Sequence, residues 1–393
     1  MIFDKLFHLM ADKGASDIFV SAGAPINIKI QGAAIPINQQ IMDPATIKTM
    51  AYEMLTPEQV KRFEEGKEIN LSFGVRDVGN FRVNMFWQRG SISIVVRYIT
   101  SIIPKLDELQ LPEVLSEVIM EKRGLVLVVG STGSGKSTTI AAMLDHRNAN
   151  KTGHILTVED PIEYLFKHKR SIVNQREIGL DTLSWAEALK NAMRQAPDCI
   201  LIGEIRDKET MSAAIAYAQT GHLCLATLHA NNAYHALNRI FNFFPLENRP
   251  SLYLDLSVSL KAIISQRLAK KPDGKRLPAV EILLNTRHIS ELIEKGEVNA
   301  IKEAMEQSLA PGSQTFEQDL FRLYKEGTIT LEEALANADS PTNLSWLINN
   351  SQLDSKDKNE PTIQSPSVVA FEMDKPAQGG GATFSEFTLT MED

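Results

Sequence analysis

Eight consecutive residues constrain this chain more than any other feature. Gly130, Ser131, Thr132, Gly133, Ser134, Gly135, Lys136 and Ser137 satisfy the pattern G-x-x-x-x-G-K-[ST] at every fixed position. The apolar run GLVLVVG (124–130) leads into it and a helical pattern (137–147) follows. A strand, a glycine-rich turn and a helix start, in that order, make an anion cradle. The glycines let the backbone curl so that successive N–H groups face one point, and the helix N-terminus adds a positive dipole. In such a loop the lysine reaches the β- and γ-phosphates of a nucleotide and the next hydroxyl holds Mg²⁺. Lys136 and Ser137 stand at those positions, with Thr138 beside them. ATP and Mg²⁺ are the expected ligands. A Gly/Ser-rich turn matches the pattern by chance at times, but the flanking strand and helix argue against that here.

A loop of this kind needs a sheet around it. HILTVE (154–159), CILIG (199–203), HLCLATL (222–228) and AVEILL (279–284) are short continuous apolar runs. Helical patterns at 137–147, 182–195, 206–219 and 252–269 separate them, and others follow at 288–295, 298–309, 314–325 and 330–337. Buried runs alternating with helices predict a mostly parallel sheet covered on both faces, over residues 113–349. Residues 1–100 read differently. An amphipathic helix with Ile2, Phe3, Leu6, Leu9 and Met10 on one face opens the chain. Strands are predicted at 17–21, 26–32, 69–74, 80–87 and 91–99, and helices at 43–54 and 56–65. The fold class expected is α/β: an antiparallel α+β domain, a linker at 101–112 containing Pro104 and Pro112, then a P-loop domain.

Composition narrows the function further. The chain has 393 residues, 43% hydrophobic and 23% charged, and a formal net charge of −8. These values exclude a collagen-like or wholly disordered chain. No run of about 18 apolar residues predicts a membrane span, and the charged first turns do not resemble a signal peptide. Cys199 and Cys224 lie in apolar runs outside any Cys-x-x-Cys, and read as reduced core thiols of a cytoplasmic protein. Residues 351–393 account for −5 of the −8 and carry Gly379, Gly380 and Gly381; from 350 on the chain reads as a disordered acidic tail. The acidic balance weighs against a nucleic-acid partner.

Phosphoryl transfer to water needs carboxylates beside the nucleotide. The strand CILIG ends in Glu204, where an acid is due, although Gly203 stands where a second acid is usual. Glu159, Asp160 and Glu163 follow the strand HILTVE. Ends of neighbouring parallel strands converge on the phosphate loop, so these acids are placed to share one site. Which of Glu163 and Glu204 is the general base stays open. His222 and His229 are seven apart, an odd spacing that turns them to opposite faces of a strand and makes them a poor chelating pair. His229, at the strand's C-terminal end, is positioned to sense the γ-phosphate. Arg82, Arg89, Arg97, Arg194, Arg206 and Arg239 are candidates for stabilising phosphate charge, and most are expected to be solvated only.

Together these residues carry a resemblance. GSTGSGKST (130–138), VEDPIEY (158–164), LIGEIRD (201–207) and TGHLCLATLHANNA (220–233), in that order, resemble the PilT/PilU-type retraction ATPases of type IV pili within the secretion-ATPase superfamily. GASDIFVSAGAPI (14–26) resembles their N-terminal PAS-like domain. The resemblance covers residues 1–345. It implies a RecA-like second domain and a homo-hexameric ring, with ATP between the domains. It further implies that Lys136 and Ser137 bind nucleotide and Mg²⁺, with Glu159 and Glu204 near the metal. Glu163 and Glu204 would act in catalysis, with His229 of the histidine box and with Arg82 and Arg97 from the N-terminal domain. The implied partners are a PilT-like retraction ATPase and an inner-membrane pilus platform protein, at the cytoplasmic face of that membrane.

Two features depart from the PilT pattern. Residues 300–307 read AIKEAMEQ where those motors carry AIRNLIRE, and the acidic tail is extra. Both resemble the accessory, PilU-type branch. The expected function is an ATP-hydrolysing motor subunit supporting retraction and twitching motility; the alternative is a non-autonomous ATP-binding ring that assists the main motor. A pilus-assembly or secretion ATPase commonly carries a four-cysteine zinc site, which two cysteines cannot build.

Overall fold

Residues 2–30, 32–75, 78–99 and 102–356 are described by a computed structural model. In the first part of the chain, α1 (Ile2–Lys13) precedes β1 (Asp17–Val20), β2 (Asn27–Ile30) and β3 (Ala33–Pro36). Helices α2 (Pro44–Glu53) and α3 (Pro57–Gly66) follow, then β4 (Glu68–Val75), β5 (Gly79–Gln88) and β6 (Ser91–Ile99). The α3 start is a capping box: the Thr56 hydroxyl accepts from the Gln59 N–H and the Gln59 side chain accepts from the Thr56 N–H. The six strands form an antiparallel sheet in the order β3-β2-β1-β6-β5-β4. Alternate residues of β5, Phe81, Val83 and Met85, are fully buried. The buried face of α1 consists of Phe3, Leu6, Phe7 and Met10, and Phe7 stacks on Phe81 with ring centroids 4.2 Å apart. Phe7 thus holds the place the periodicity gave to Leu9, which is only partly buried. Burying each such side chain stabilises the fold by about 1.5–3 kcal/mol.

Residues 102–112 contain no helix or strand, but Leu106 is buried beneath the second sheet's helices. There α4 (Val114–Val118) leads to β7 (Gly124–Val129), α5 (Lys136–Asn150), β8 (Gly153–Glu159), β9 (Ser171–Glu177) and α6 (Trp185–Ala192). Next come β10 (Cys199–Ile202), α7 (Lys208–Gln219), β11 (Leu223–Leu228), α8 (Ala233–Asn242) and α9 (Arg249–Ser259). The strands β12 (Leu260–Lys270) and β13 (Arg276–Leu284) precede α10 (Arg287–Lys295), α11 (Ile301–Glu306), α12 (Phe316–Lys325), α13 (Leu331–Asn337) and α14 (Pro341–Lys356). The seven strands run in the order β13-β12-β7-β11-β10-β8-β9, parallel except for the antiparallel β12–β13 pair. Both faces are covered, which is why the central strands are apolar throughout. On β7, Leu125, Leu127 and Val129 pack into one core, and Val126 and Val128 into the opposite one. This is the expected α/β class: an antiparallel domain followed by a RecA-like domain with a mostly parallel central sheet.

Several elements differ from their sequence signals. The helical pattern at 252–269 breaks at Ser259, and residues 260–270 are strand. An apolar run rich in Ile supports either form; hydrogen bonding to β7 and β13 selects the strand. AVEILL consequently lies antiparallel at the sheet edge. The strand β9 and helix α14 carry weak periodic signals, whereas α8 is clearly amphipathic, with Ala233, Ala236, Leu237, Ile240 and Phe241 on its buried face; the sequence expectations above include none of the three. Helix α11 ends at Glu306; Ile301, Ala304 and Met305 are buried, while Leu309, expected on the same face, lies past the helix and is almost fully exposed. Helix α14 extends to Lys356, into the stretch read as tail, and residues 357–393 lie outside the described residues. Cys199 and Cys224 are buried and unpaired, and burial pushes the Cys199 thiol up to about 11. Among the described residues no helix is long and apolar enough to cross a membrane.

Candidate functional site

The C-terminal ends of β7, β8, β10 and β11 open onto one pocket of about 250 Å³. The phosphate loop contributes Thr132, Gly133, Lys136 and Ser137; the segment after β8 contributes Glu159, Asp160, Glu163 and Tyr164; Gly203 and Glu204 end β10; Thr227 and His229 end β11. The sequence signals for these residues lie in separate boxes, and the parallel sheet brings the box ends to one edge. Gly133 and Gly135 take φ of 79° and 89°, the left-handed region that glycine tolerates best. Lys136 Nζ donates to the carbonyls of Gly130 and Ser131, both at 2.8 Å. Burial lowers the Lys136 pKa, and the charges of Glu204 and Glu163 oppose that shift. The cation thus sits in the field of both candidate bases.

Glu204 is held on two sides. Arg206 Nε donates to its Oε2 at 2.8 Å, and His229 Nε2 lies 3.4 Å from its Oε1. Arg206 also approaches Asp160 at 3.5 Å and lies over the Trp185 ring. The peptide before Glu204 is pinned by Thr227, whose hydroxyl donates to the Gly203 carbonyl and whose own carbonyl accepts from the Ile205 N–H at 2.8 Å. Gly203 has a structural reason as well: a Cβ there would lie 3.1 Å from the Glu159 Cα and the Val158 carbonyl. A bulkier residue at the usual position of a second acid would push against β8.

Glu159 is half-buried in the pocket wall. Burial pushes its carboxyl up to about 7; hydrogen bonds from Thr157 Oγ1 (2.6 Å) and Gln175 Nε2 (3.3 Å) oppose this, and the charges of Glu163 and Glu177 add to it. Gln175 also donates to the Tyr164 carbonyl at 2.8 Å and accepts from the Phe166 N–H at 2.9 Å, so β9 shapes the acidic segment. Tyr164 and Thr138 share a hydrogen bond of 2.9 Å between their hydroxyls. The hydroxyl of Ser137 and the carboxylates of Glu159 and Glu204 are hard oxygen donors of the kind Mg²⁺ takes. Among the described residues no cluster of three or more His, Cys, Asp or Glu is gathered to hold a metal by itself.

The remaining candidates lie elsewhere in this chain. Arg82 on β5 pairs with Glu177 of β9, whose Oε2 also accepts from the Ile162 N–H at 3.1 Å. Arg97 on β6 pairs with the buried Asp17 at 2.9 Å. Neither lines the pocket. His222 sits at the opposite end of β11 from His229, with Nδ1 3.2 Å from the Tyr217 carbonyl. Gln175, Glu177, Thr227 and Arg206 hold the site's parts in place. Only Arg206 stood out in the sequence, because the others gain meaning from strand neighbours rather than from spacing.

A second buried network anchors the turn after His229. The Glu281 carboxyl on β13 accepts from the Ala233 N–H (2.8 Å) and the Ser265 hydroxyl (2.9 Å), and Ala233 begins α8. Burial pushes Glu281 up from 4.5 to about 7, against those two hydrogen bonds and with help from the Asp339 and Glu317 charges. A raised folded-state pKa means the neutral form favours the fold. Its contribution is complete below about pH 4.5 and is lost as pH rises through 7. Glu281→Gln stays neutral and keeps an acceptor oxygen. The variant is expected to be close to wild type in stability near pH 5 and to exceed it at pH 8, by up to about 3 kcal/mol, with a correspondingly higher melting temperature. Thermal melts at both pH values check this, and a difference that does not change with pH would contradict it.

The family model for the type II/IV secretion system protein matches residues 1–336. The type IV pilus ATPase PilU of Pseudomonas aeruginosa is 49% identical over 349 residues, which is 88% of this chain and 91% of that protein. The type IV pilus retraction ATPase PilT of the same species is 42% identical, covering 87% of this chain and 100% of that one. A crystal structure of the pilus retraction motor PilT with bound ADP superposes with a TM-score of 0.81 at 42% identity, over 87% of this chain and 98% of that chain.

Proposed function

Because this chain belongs to the type II/IV secretion system protein family, as a PilT/PilU-type retraction ATPase of type IV pili, we propose that it hydrolyses ATP to power pilus retraction and twitching motility. The observation that carries the reading is the meeting of Lys136, Glu163, Glu204 and His229 in one pocket. Gly130, Ser131, Thr132, Gly133, Ser134, Gly135 and Thr138 shape the cradle, and Lys136 takes the β- and γ-phosphates. Ser137, Glu159 and Glu204 would hold Mg²⁺ through their oxygens. When bound, that ion neutralises charge on the phosphate oxygens. Glu204 is the better placed base, since Arg206 and His229 fix its carboxylate on both sides. Glu163 orients the water or balances Lys136. Arg82 and Arg97 act on the pocket of a neighbouring subunit in a homo-hexameric ring, and each must leave its carboxylate partner to do so.

The ring works at the cytoplasmic face of the inner membrane, against the pilus platform protein and beside a PilT-like motor. The accessory role is supported by residues 300–307. Lys302 stands where the motor's motif has arginine, and it makes a single 3.5 Å contact with Glu317. A lysine cannot reproduce the two-pronged contact of a guanidinium. The test is the steady-state Mg²⁺-dependent ATPase of wild type and Lys136→Ala, each with and without a PilT-like partner. Turnover by wild type alone, lost in Lys136→Ala, supports an autonomous ATPase. Turnover that exceeds the partner's own rate only when the two are mixed, and is lost in Lys136→Ala, supports the non-autonomous ring, and no turnover beyond the partner's own in either condition sinks the enzyme reading.

A further inference from the structure

Strand β12 touches the phosphate loop through one side chain that no sequence pattern singled out. Gln266 is 2% exposed, and both ends of its amide are used. Its Nε2 donates to the Ser134 carbonyl at 2.8 Å, and its Oε1 accepts from the Thr139 hydroxyl at 2.7 Å. A carbonyl only accepts, so Ser134 requires the NH₂ end, and this fixes the orientation of the amide. Two loop glycines are packed against the same residue. A Cβ on Gly135 would lie 2.7 Å from Gln266 Nε2, and one on Gly130 would lie 2.5 Å from the Gln266 carbonyl oxygen.

We infer that Gln266 is a positioning residue for the phosphate loop: it turns the Ser134–Gly135 peptide so that the Gly135 N–H faces the nucleotide phosphates. The carbonyl of Ser134 and the N–H of Gly135 belong to one planar trans peptide and point in opposite directions. Drawing the carbonyl toward β12 therefore turns the N–H away from β12. Thr139, in the first turn of α5, keeps the amide from rotating. The same strand carries Arg267 on its next residue, toward the turn that follows His229. β12 thus sets the geometry of the cradle without lining the pocket. Gln266 touches no substrate; it acts through the peptide that does.

The inference rests on the reading of this loop as a nucleotide site. The experiment compares ADP dissociation constants and steady-state ATPase kinetics of the full chain as wild type, Gln266→Met and Thr139→Val. Methionine matches glutamine in length and makes neither hydrogen bond. Losing one hydrogen bond to a phosphate-binding peptide is expected to raise the ADP dissociation constant and the KM for ATP about tenfold, with kcat changed less than threefold. Thr139→Val keeps Gln266 but frees its amide to rotate, and is expected to shift both constants about threefold in the same direction. A folded Gln266→Met variant with both constants within twofold of wild type overturns the inference, as does a fall in kcat at unchanged KM. If Gln266→Met gives no cooperative melt, Thr139→Val decides: unchanged constants overturn it and raised ones support it. A wild type that binds no ADP sinks the nucleotide reading and this inference with it, whereas binding by wild type that is unchanged in both variants sinks the role of Gln266 alone.

Discussion

Glu204→Gln is expected to lower the ATPase kcat by about 10²–10⁴-fold, the range for losing a general base, while ADP affinity measured without Mg²⁺ changes less than threefold. Glutamine has the same shape and can still accept from Arg206 through its carbonyl oxygen. What it loses is the negative charge and the ability to take a proton from water. Arg206 at 2.8 Å and His229 at 3.4 Å hold the native carboxylate in place, and Thr227 pins the peptide that carries it. The substitution therefore removes chemistry and leaves geometry. Single-turnover hydrolysis, with ADP affinity measured on the same preparation, separates the two. A kcat within threefold of wild type would move the role of base to Glu163, and the same assay on Glu163→Gln would then show the large loss.

Arg267→Ala is expected to destabilise the protein by about 2 kcal/mol, because it removes one partner of a half-buried ion pair together with that partner's hydrogen bonds. Arg267 pairs with Asp339, donates to the Asn337 carbonyl and reaches the Asn231 carbonyl at 3.3 Å. Its guanidinium also lies 4.1 Å from the centroid of the Phe316 ring. Without it, Asp339 keeps a hydrogen bond of 2.6 Å from Asn232 but faces the negative field shared with Glu281 and Glu317. The melting temperature should fall by roughly 3–6 °C. Asn231 and Asn232 form the turn between His229 and α8, so ATPase activity is expected to fall with the turn's order. Thermal melts read the first effect and kcat the second. An unchanged melting temperature would show that the network contributes no net stability.

That network also ties the site's histidine turn to the C-terminal helices. Asp339 follows α13, and Glu317 on α12 accepts from the Ser340 N–H at 2.7 Å and receives Lys302 of α11. A chain of hydrogen bonds and ion pairs therefore links the end of β11 to the segment that departs from the motor motif.

Much of the scaffold, and the grouping of the candidate site residues, can be read from the sequence. The phosphate loop was legible because its function demands fixed residue types at fixed spacing over eight positions. β7, β8, β10 and β11 were legible because strands buried on both faces must be apolar throughout. Glu159, Glu163, Glu204 and His229 were legible as candidates because they end or closely follow those strands, and parallel strand ends meet at one edge. The four boxes in order carried the family as well.

The rest depends on pairing between segments distant in the chain. Residues 260–270 look the same as helix or strand until β7 and β13 claim their hydrogen bonds. β9 is polar because it lies at a sheet edge, and its Gln175 and Glu177 gain a role only from the segment folded over them. Arg82 and Arg97 carry no signal that separates a finger from an ion pair; Glu177 and Asp17 decide what they do within one chain. Gln266 is the clearest case. Its partners Ser134 and Thr139 are 132 and 127 residues away, and only the sheet order that sets β12 beside β7 brings them together. Local spacing records what one segment must do by itself, whereas a hydrogen bond between two strands leaves no periodic trace in either.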